Sequence, residues 1–400
     1  MFDLPAIQDA LRQTGLDGWL LYDFRGSNLP ARRVLDLAGK PVTSRRFFYA
    51  IPSEGPPRKL VHKIEPGALD HLPGEKTVYL RWQELEEGVR ALIGGAKRVA
   101  MEYAPNLANP YIARVDAGVV EFVRSLGVEV ESSGDLIQRF EASWTDEQWA
   151  MHQEATEHTT EAFTIAFGLI AERTSGGGSI RETEVQAVIL DHFSRNGLTT
   201  SSPPIVGVGP HSGDPHYEPK AGADAEIRAG DFVLIDLWAK MDRPGAVYSD
   251  LTRVGFVGTE VPDRFESVFR VVARARDAAI ARVREAFASG SPLRGFEVDD
   301  ACRQVIEEAG YGHAFIHRTG HSIGEEVHGN GAHMDNLETH ETRLVLPRTC
   351  FSIEPGIYLS EFGIRSEVDV FVDAGGQVHV TGGLQTRVLP ILADPAASGR

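Results

Sequence analysis

Cysteine is nearly absent: Cys302 and Cys350 are the two in 400 residues, too far apart for a paired-thiolate zinc motif and too few for a disulfide framework. A reducing compartment suits such a chain, and the cytoplasm is the expected location. Basic residues are also in deficit, 40 Lys and Arg against 57 Asp and Glu, for a formal charge of −17. Nucleic acid and anionic membranes both demand a basic face, so neither is expected as a partner, whereas the acid excess suits cation binding. No apolar run approaches the ~20 residues that span a bilayer. The opening Met-Phe-Asp-Leu-Pro has no basic stretch ahead of an apolar one, so no targeting address is read. What is there is globular composition, 42% hydrophobic and 24% charged, in a chain long enough for two domains.

Residues 1–142 alternate short strand-like and helix-like segments: Ile7 to Thr14, Gly18 to Tyr22, Arg46 to Ile51, Leu60 to Lys63, Thr77 to Leu80, Trp82 to Ile93, Arg98 to Met101, Tyr111 to Ser125 and Val128 to Glu131. That alternation predicts an α/β domain, and with no nucleophile elbow, phosphate loop or ligand cluster its expected role is scaffold or dimerisation. A boundary follows near Ser143, and residues 143–400 form the catalytic domain. Thr145 and Gln148 make a capping box that opens a long helix to about Glu172. Ser179 with Glu182 is read as the cap of a second helix ending near Asn196-Gly197. A third helix is expected from Pro262 to Ala288 and a fourth from Val298 to Ala309, stopped by Gly310. His152, His158 and His192 lie on these helices and are read as solvated or structural.

The chemistry collects between and after the helices. Asp231 to Lys240 and Val247 to Val257 read as apolar strands joined by an Asp242-Arg-Pro-Gly245 turn. Folding back at Arg243 or Pro244 sets Asp236 across from Asp250 or its immediate neighbour. Two carboxylates on facing half-buried positions repel unless a cation lies between them. A second hairpin repeats the arrangement: Cys350 to Glu354 runs out, Ser360-Glu-Phe-Gly363 turns, and Ile364 to Val372 returns. This brings Glu367 within about two positions of Glu354, with a bulge expected near Pro355-Gly356. Two acid hairpins in one domain suggest an internally duplicated sheet around a ligand cluster. Four carboxylates with neutral His321 balance two divalent cations, and oxygen-rich ligation with one imidazole suits manganese, cobalt, iron or zinc. Such ions, roughly 3.5 Å apart, lower the pKa of a water, so hydrolysis is the expected chemistry. His216 and His328 could supply the remaining hydrogen bonds to a substrate carbonyl and leaving group, while any one of these histidines taken alone is more often structural.

The ordered motifs Pro215-His216-Tyr217, Asp236, Ser249-Asp250-Leu-Thr252, Thr319-Gly-His321-Ser-Ile-Gly324, Val327-His328, Ile353-Glu354-Pro-Gly356 and Arg365-Ser-Glu367 resemble the pita-bread metallopeptidases, and within them the prolidase and aminopeptidase P branch. The resemblance covers roughly residues 140 to 390, with a vaguer creatinase-like likeness in the N-terminal domain. It implies an α+β pita-bread catalytic domain behind a smaller α/β domain, and two metal ions, manganese first, with cobalt, zinc or iron as alternatives. The implied ligands are Asp236, Asp250, His321, Glu354 and Glu367, with Asp250 and Glu367 bridging. His216 and His328 would contact the substrate, Glu354 would help move a proton, and Arg365 and Tyr358 would tune the site.

The substrate so implied is a small peptide with proline second, cleaved by a homodimeric Xaa-Pro dipeptidase, with aminopeptidase P as the alternative. Metal-free hydrolases or lyases and non-enzymatic binding proteins on the same fold are further alternatives, set against the intact ligand set. The chain departs from the family's pattern at Leu237-Trp238, where a small residue is common, and in the longer turn that follows. The segment His333 to Thr339 is read as a structural loop or, alternatively, a substrate rim.

Overall fold

The computed structural model describes residues 2–393. The chain divides into two compact units, Met1–Ala142 and Ser143–Arg400. In the first, a mixed six-stranded sheet has the spatial order Glu75–Tyr79, Arg58–His62, Phe47–Pro52, Gly18–Asp23, Arg98–Met101 and Glu129–Ser132. Successive residues of a strand point to opposite faces. Trp19 and Leu21 therefore join one core with Ile7 and Leu11, while Leu20 and Tyr22 join another with Val89 and Leu92. Every residue of Gly18–Asp23 is buried, as a strand covered on both faces requires.

Two helical segments here differ from expectation. The helix expected from Tyr111 starts at Ala117, because the Asp116 side chain caps it by accepting from the Val119 amide while Arg114 and Val115 donate to the Glu102 carbonyl. A short helix, Leu29–Val34, was not expected from the sequence, although Asn28 caps it and Pro30 stands in its first turn.

The second unit repeats one order of elements. A helix of 29 residues, Asp146–Thr174, and one of 14, Glu182–Arg195, precede the first acid hairpin; a helix of 27, Asp263–Ser289, and one of 14, Gly295–Glu308, precede the second. The capping box at Thr145 and Gln148 is present, with bonds of 3.1 and 3.0 Å. Ser179 does not cap the second helix. Ile180–Arg181 pairs as a short strand with Glu226–Ile227, which keeps the backbone extended through Arg181, and Glu184 receives the Arg181 amide at 2.9 Å. Glu182 turns inward instead, accepting from the Val208 and Ala225 amides and the Tyr217 hydroxyl.

In the first hairpin, Phe232–Met241 pairs antiparallel with Ser249–Phe256. Val233, Ile235 and Leu237 face the first helix pair, with Phe163, Phe167 and Ile189 in the same core. The opposite side carries Phe232, Leu234, Asp236 and Trp238, and its apolar members join the core around Phe265, Phe269 and Ile280 of the third helix. Asp236 is paired with Thr252, and Asp250 with Trp238. The register therefore corrects the expected near-direct facing of the two acids to a diagonal one. A two-residue offset preserves the face, so both carboxylates still point to one side.

The second hairpin corrects the other expectation. Ile353 pairs with Val368 and Gly356 with Arg365, a spacing of three residues on each strand, so no extra residue is inserted around Pro355 and Glu354 stands directly opposite Glu367. Pro355 merely interrupts the ladder by lacking an N–H. Cys302 and Cys350 are buried and unpaired. No described helix is long and apolar enough to cross a membrane.

Candidate metal centre

The two hairpins and the loop at His321 converge on one buried cluster. Ligand-type atoms of Asp250, His321 and Glu367 all lie within 4.8 Å of one another. His321 is held from both sides: its amide donates to Ser352 Oγ at 3.0 Å, and its carbonyl accepts from the Ser352 amide at 2.8 Å. Gly320 makes this approach possible, since a Cβ there would collide with the Ser352 carbonyl oxygen. His321 Nδ1 lies 3.2 Å from the Ser322 carbonyl, a bond only Nδ1–H can make. Nε2 then carries the lone pair, and it stands 3.4 Å from Asp250 Oδ2 and 3.4 Å from Glu354 Oε1. A lone pair between two carboxylates is repulsive unless a cation occupies the space.

Arg365 ties the hairpins together. Its guanidinium donates to Asp236, to Thr252 Oγ1 at 2.9 Å and to the Tyr358 hydroxyl at 3.1 Å, while Thr252 donates to Glu367 Oε2 at 2.6 Å. The Tyr358 hydroxyl in turn reaches His317 Nε2 at 2.7 Å, and His317 Nδ1 donates to the Arg318 carbonyl at 2.7 Å. Behind Asp250, the Asp369 carboxylate accepts the Asp250 amide at 3.0 Å. His317 and Asp369 were not foreseen as members of this network. Asp369 could have been: it lies two residues after Glu367 on a strand, hence on the same face. His317 sits in irregular backbone, where no periodicity points it anywhere.

Electrostatics sharpens the case for a cation. Burial raises the Asp250, Glu354 and Glu367 carboxyls above their ordinary range; Asp236 repels all three, and Asp250 and Glu367 also repel each other. Asp369 is pushed up by burial and by Asp250. One oxygen of Asp236, Oδ1, is buried with no hydrogen-bond donor. Among the described residues Arg365 is the one guanidinium hydrogen-bonded to any of the four carboxylates, and it reaches Asp236 alone, so the donor set fits divalent metal ions, whose charge would offset the repulsion and engage the orphaned oxygen.

His328 lies against His321, ring centroids 4.2 Å apart and edge to face. Its basicity is pushed down to about 2 by His321 and by burial, so it is neutral at physiological pH. His216 is exposed, and its amide donates to Asp214. The structure thus leaves it at the rim, close enough to His328 to act on it electrostatically.

The three histidines on the first two helices of this unit have structural surroundings. His152 is buried, bonded to the Tyr248 carbonyl at 2.8 Å and to Thr381 at 2.8 Å, a structural role. His158, Glu161 and His192 form a second group of ligand-type atoms among the described residues. There His192 Nε2 already lies 3.1 Å from the His158 carbonyl and Nδ1 accepts from Asn196, which commits the ring to hydrogen bonding. The His333 to Thr339 segment is a built turn, with Asp335 accepting from the amides of Leu337, Glu338 and Thr339.

Two acid-bearing hairpins, each preceded by a long and a short helix and closing on one carboxylate–imidazole cluster, define the pita-bread architecture. The dipeptidase PepE structure from Mycobacterium ulcerans superposes with a TM-score of 0.70 over 96% of both chains at 23% identity, a likeness of fold. Residues 150–374 match the model of metallopeptidase family M24, and the chain belongs to that family. It is 35% identical over 200 residues to a "Probable dipeptidase PepE" of Mycobacterium tuberculosis, a stretch covering 50% of this chain and 49% of that relative. It is 28% identical over 259 residues to an "Xaa-Pro dipeptidase" of Lactobacillus delbrueckii subsp. lactis, covering 64% and 65%. The aligned stretch therefore spans about half the length of the first of these relatives and under two thirds of the second.

Proposed function

We propose that this protein is a dinuclear metal-dependent dipeptidase cleaving the Xaa-Pro bond. The observation that carries the reading is His321 Nε2, which presents its lone pair between Asp250 and Glu354 while Asp236 Oδ1 has no donor. Asp236, Asp250, His321, Glu354 and Glu367 would hold the ions. Manganese is the first candidate, because the set is rich in oxygen and holds one imidazole. When bound, the ions supply Lewis acidity and make a water acidic enough to serve as nucleophile at neutral pH.

The chain's own groups do the rest. Glu354, oriented by Ser352 Oγ at 3.1 Å, moves a proton from the attacking water toward the leaving nitrogen. His328, neutral and beside His321, donates to the substrate carbonyl oxygen as charge develops there. Arg365 fixes Asp236 directly and Glu367 through Thr252, and it orients Tyr358. His216 at the rim contacts the substrate after it enters.

Proline after the scissile bond makes a tertiary amide with no N–H, so a site built for it needs no acceptor at that nitrogen. A secondary amide would bring a donor to be buried unpaired, at about 1–3 kcal/mol, which sets a preference of roughly 10–150-fold for Ala-Pro over Ala-Ala. Steady-state hydrolysis of Ala-Pro, Ala-Ala and Ala-Pro-Ala by the manganese-loaded protein tests this. Ala-Pro should be fastest. Equal rates on Ala-Pro and Ala-Ala would remove the proline assignment, and a preference for Ala-Pro-Ala would make the enzyme an aminopeptidase.

A further inference from the structure

Trp238 shares the face of its strand with Asp236 and is paired directly with Asp250 across the first hairpin. Residues opposite each other in an antiparallel pair place their side chains on one side of the sheet, with Cβ atoms ~4.5–5.5 Å apart. The largest side chain available thus stands next to a proposed metal ligand. It cannot readily move away. The indole packs on the cluster of Tyr248, Ile323 and Cys350, to which Val327, the neighbour of His328, also packs, and on its other side it meets the core that holds Val254.

A second observation is independent of size. The Trp238 side chain is only partly buried as a whole, yet its Nε1 is fully buried with no acceptor. Indole N–H groups buried in proteins usually find a partner, because an unsatisfied donor weakens the folded state. Because the residue is partly exposed while its Nε1 is not, the part of the indole that a ligand can meet is hydrocarbon, suited to apolar contact and not to a hydrogen bond.

We infer that Trp238 is a specificity-determining residue for the amino acid on the amino side of the scissile bond. Its indole occupies the space beside Asp250 and restricts that residue to a small side chain such as Gly, Ala or Ser. Gly-Pro, Ala-Pro and Ser-Pro are therefore favoured over Leu-Pro and Phe-Pro. The inference rests on the Xaa-Pro reading, since it concerns which Xaa is taken.

The test is kcat/KM for Gly-Pro, Ala-Pro, Ser-Pro, Leu-Pro and Phe-Pro, measured on the manganese-loaded wild type and on Trp238→Ala and Trp238→Phe, with metal content determined alongside. Wild type should favour Ala-Pro over Leu-Pro by at least ~10-fold, the scale on which apolar pockets discriminate size. Trp238→Ala should raise Leu-Pro and Phe-Pro relative to Ala-Pro by ~10-fold or more, mainly through KM, at unaltered metal content. Trp238→Phe removes one of the two fused rings, so it should relax the exclusion of Leu-Pro in the same direction as Trp238→Ala but by a smaller factor. It also serves if the alanine variant does not fold. An unchanged substrate ranking in both variants overturns the inference alone. A wild type inactive on every Xaa-Pro dipeptide overturns the proline reading and this inference with it.

Discussion

Each unit of this protein buries a carboxylate, and the two are treated in opposite ways. In the N-terminal unit, Glu102 accepts from Trp19 Nε1 at 2.7 Å, Asn28 Nδ2 at 2.6 Å and Ser133 Oγ at 3.0 Å, so both its oxygens are engaged. Lys59, also buried, spends its ammonium on the Leu69 and Leu72 carbonyls. In the second unit, Asp236, Asp250, Glu354 and Glu367 are set facing one another, meet a guanidinium at Asp236 alone among the described residues and leave Asp236 Oδ1 without a donor. A buried charge that has its full set of neutral donors is finished as structure. A cluster of buried like charges with an orphaned oxygen is finished only by a ligand. Burial alone does not separate a structural acid from a functional one; the donor set does.

The comparison breaks most visibly at Asp250, one of the proposed metal ligands. Asp250→Ala should abolish turnover and lower metal content, well beyond the ~10–100-fold expected of a residue behind the ligands, while the fold survives. Wild-type turnover and metal content in that variant would refute the dinuclear reading. Next in size is the separation of two adjacent histidines. His321→Ala should lose metal, whereas His328→Ala should keep it and lose about 2.7–4 kcal/mol of transition-state stabilisation, as expected for a donor to the developing oxyanion. Equal metal loss in both would contradict the assignment.

Removing the ions gives a smaller, pH-dependent effect. Burial and mutual repulsion raise Asp250, Glu354 and Glu367 above their ordinary values of 3.8 and 4.5, so the folded state binds those protons more tightly than the unfolded chain does. Their stabilising contribution is complete below the ordinary values and is lost as pH rises through the raised ones. The chelated protein should therefore melt at falling temperature as pH rises above the ordinary carboxylate range. The metal-loaded protein should hold its melting temperature over the same rise in pH. A gap between the two that stays constant with pH would show that the acids are not the linked groups.

The smallest effect belongs to the satisfied acid. Glu102→Gln replaces one acceptor oxygen with a donor and should cost about 1–3 kcal/mol in denaturant stability, with metal content and turnover intact. A loss of metal there would erase the contrast between the two kinds of buried acid.

Much of this site was legible before the structure because alternation is a local property. Asp236 and Asp250, and Glu354 and Glu367, fall on alternating apolar strands with turn residues between them, and the structure puts each pair on one side of its hairpin. What local pattern left open was register. The first pair is diagonal, not opposed, and the second is opposed with no bulge; either shift keeps the face, which is why the face was readable and the partner was not. Cap assignment failed at Ser179 for a similar reason: the pairing of Ile180–Arg181 with Glu226–Ile227, remote in sequence, decided where the helix could begin.

By itself, then, the sequence determined the four helices expected in the second unit with the Thr145 cap, the two acid hairpins and the residue types of the proposed cation site, all consequences of periodicity and of charge within a few neighbouring residues. Only the tertiary structure decided that Arg365 reaches Asp236 across 129 positions, that Thr252 reaches Glu367 across 115, that Asp369 takes the Asp250 amide across 119, and that Tyr358 closes on His317. It also decided that Trp238 stands opposite Asp250 with its indole N–H unpaired. Such contacts depend on how two hairpins from distant parts of the chain are brought together over a shared core, and no short stretch of sequence carries that information.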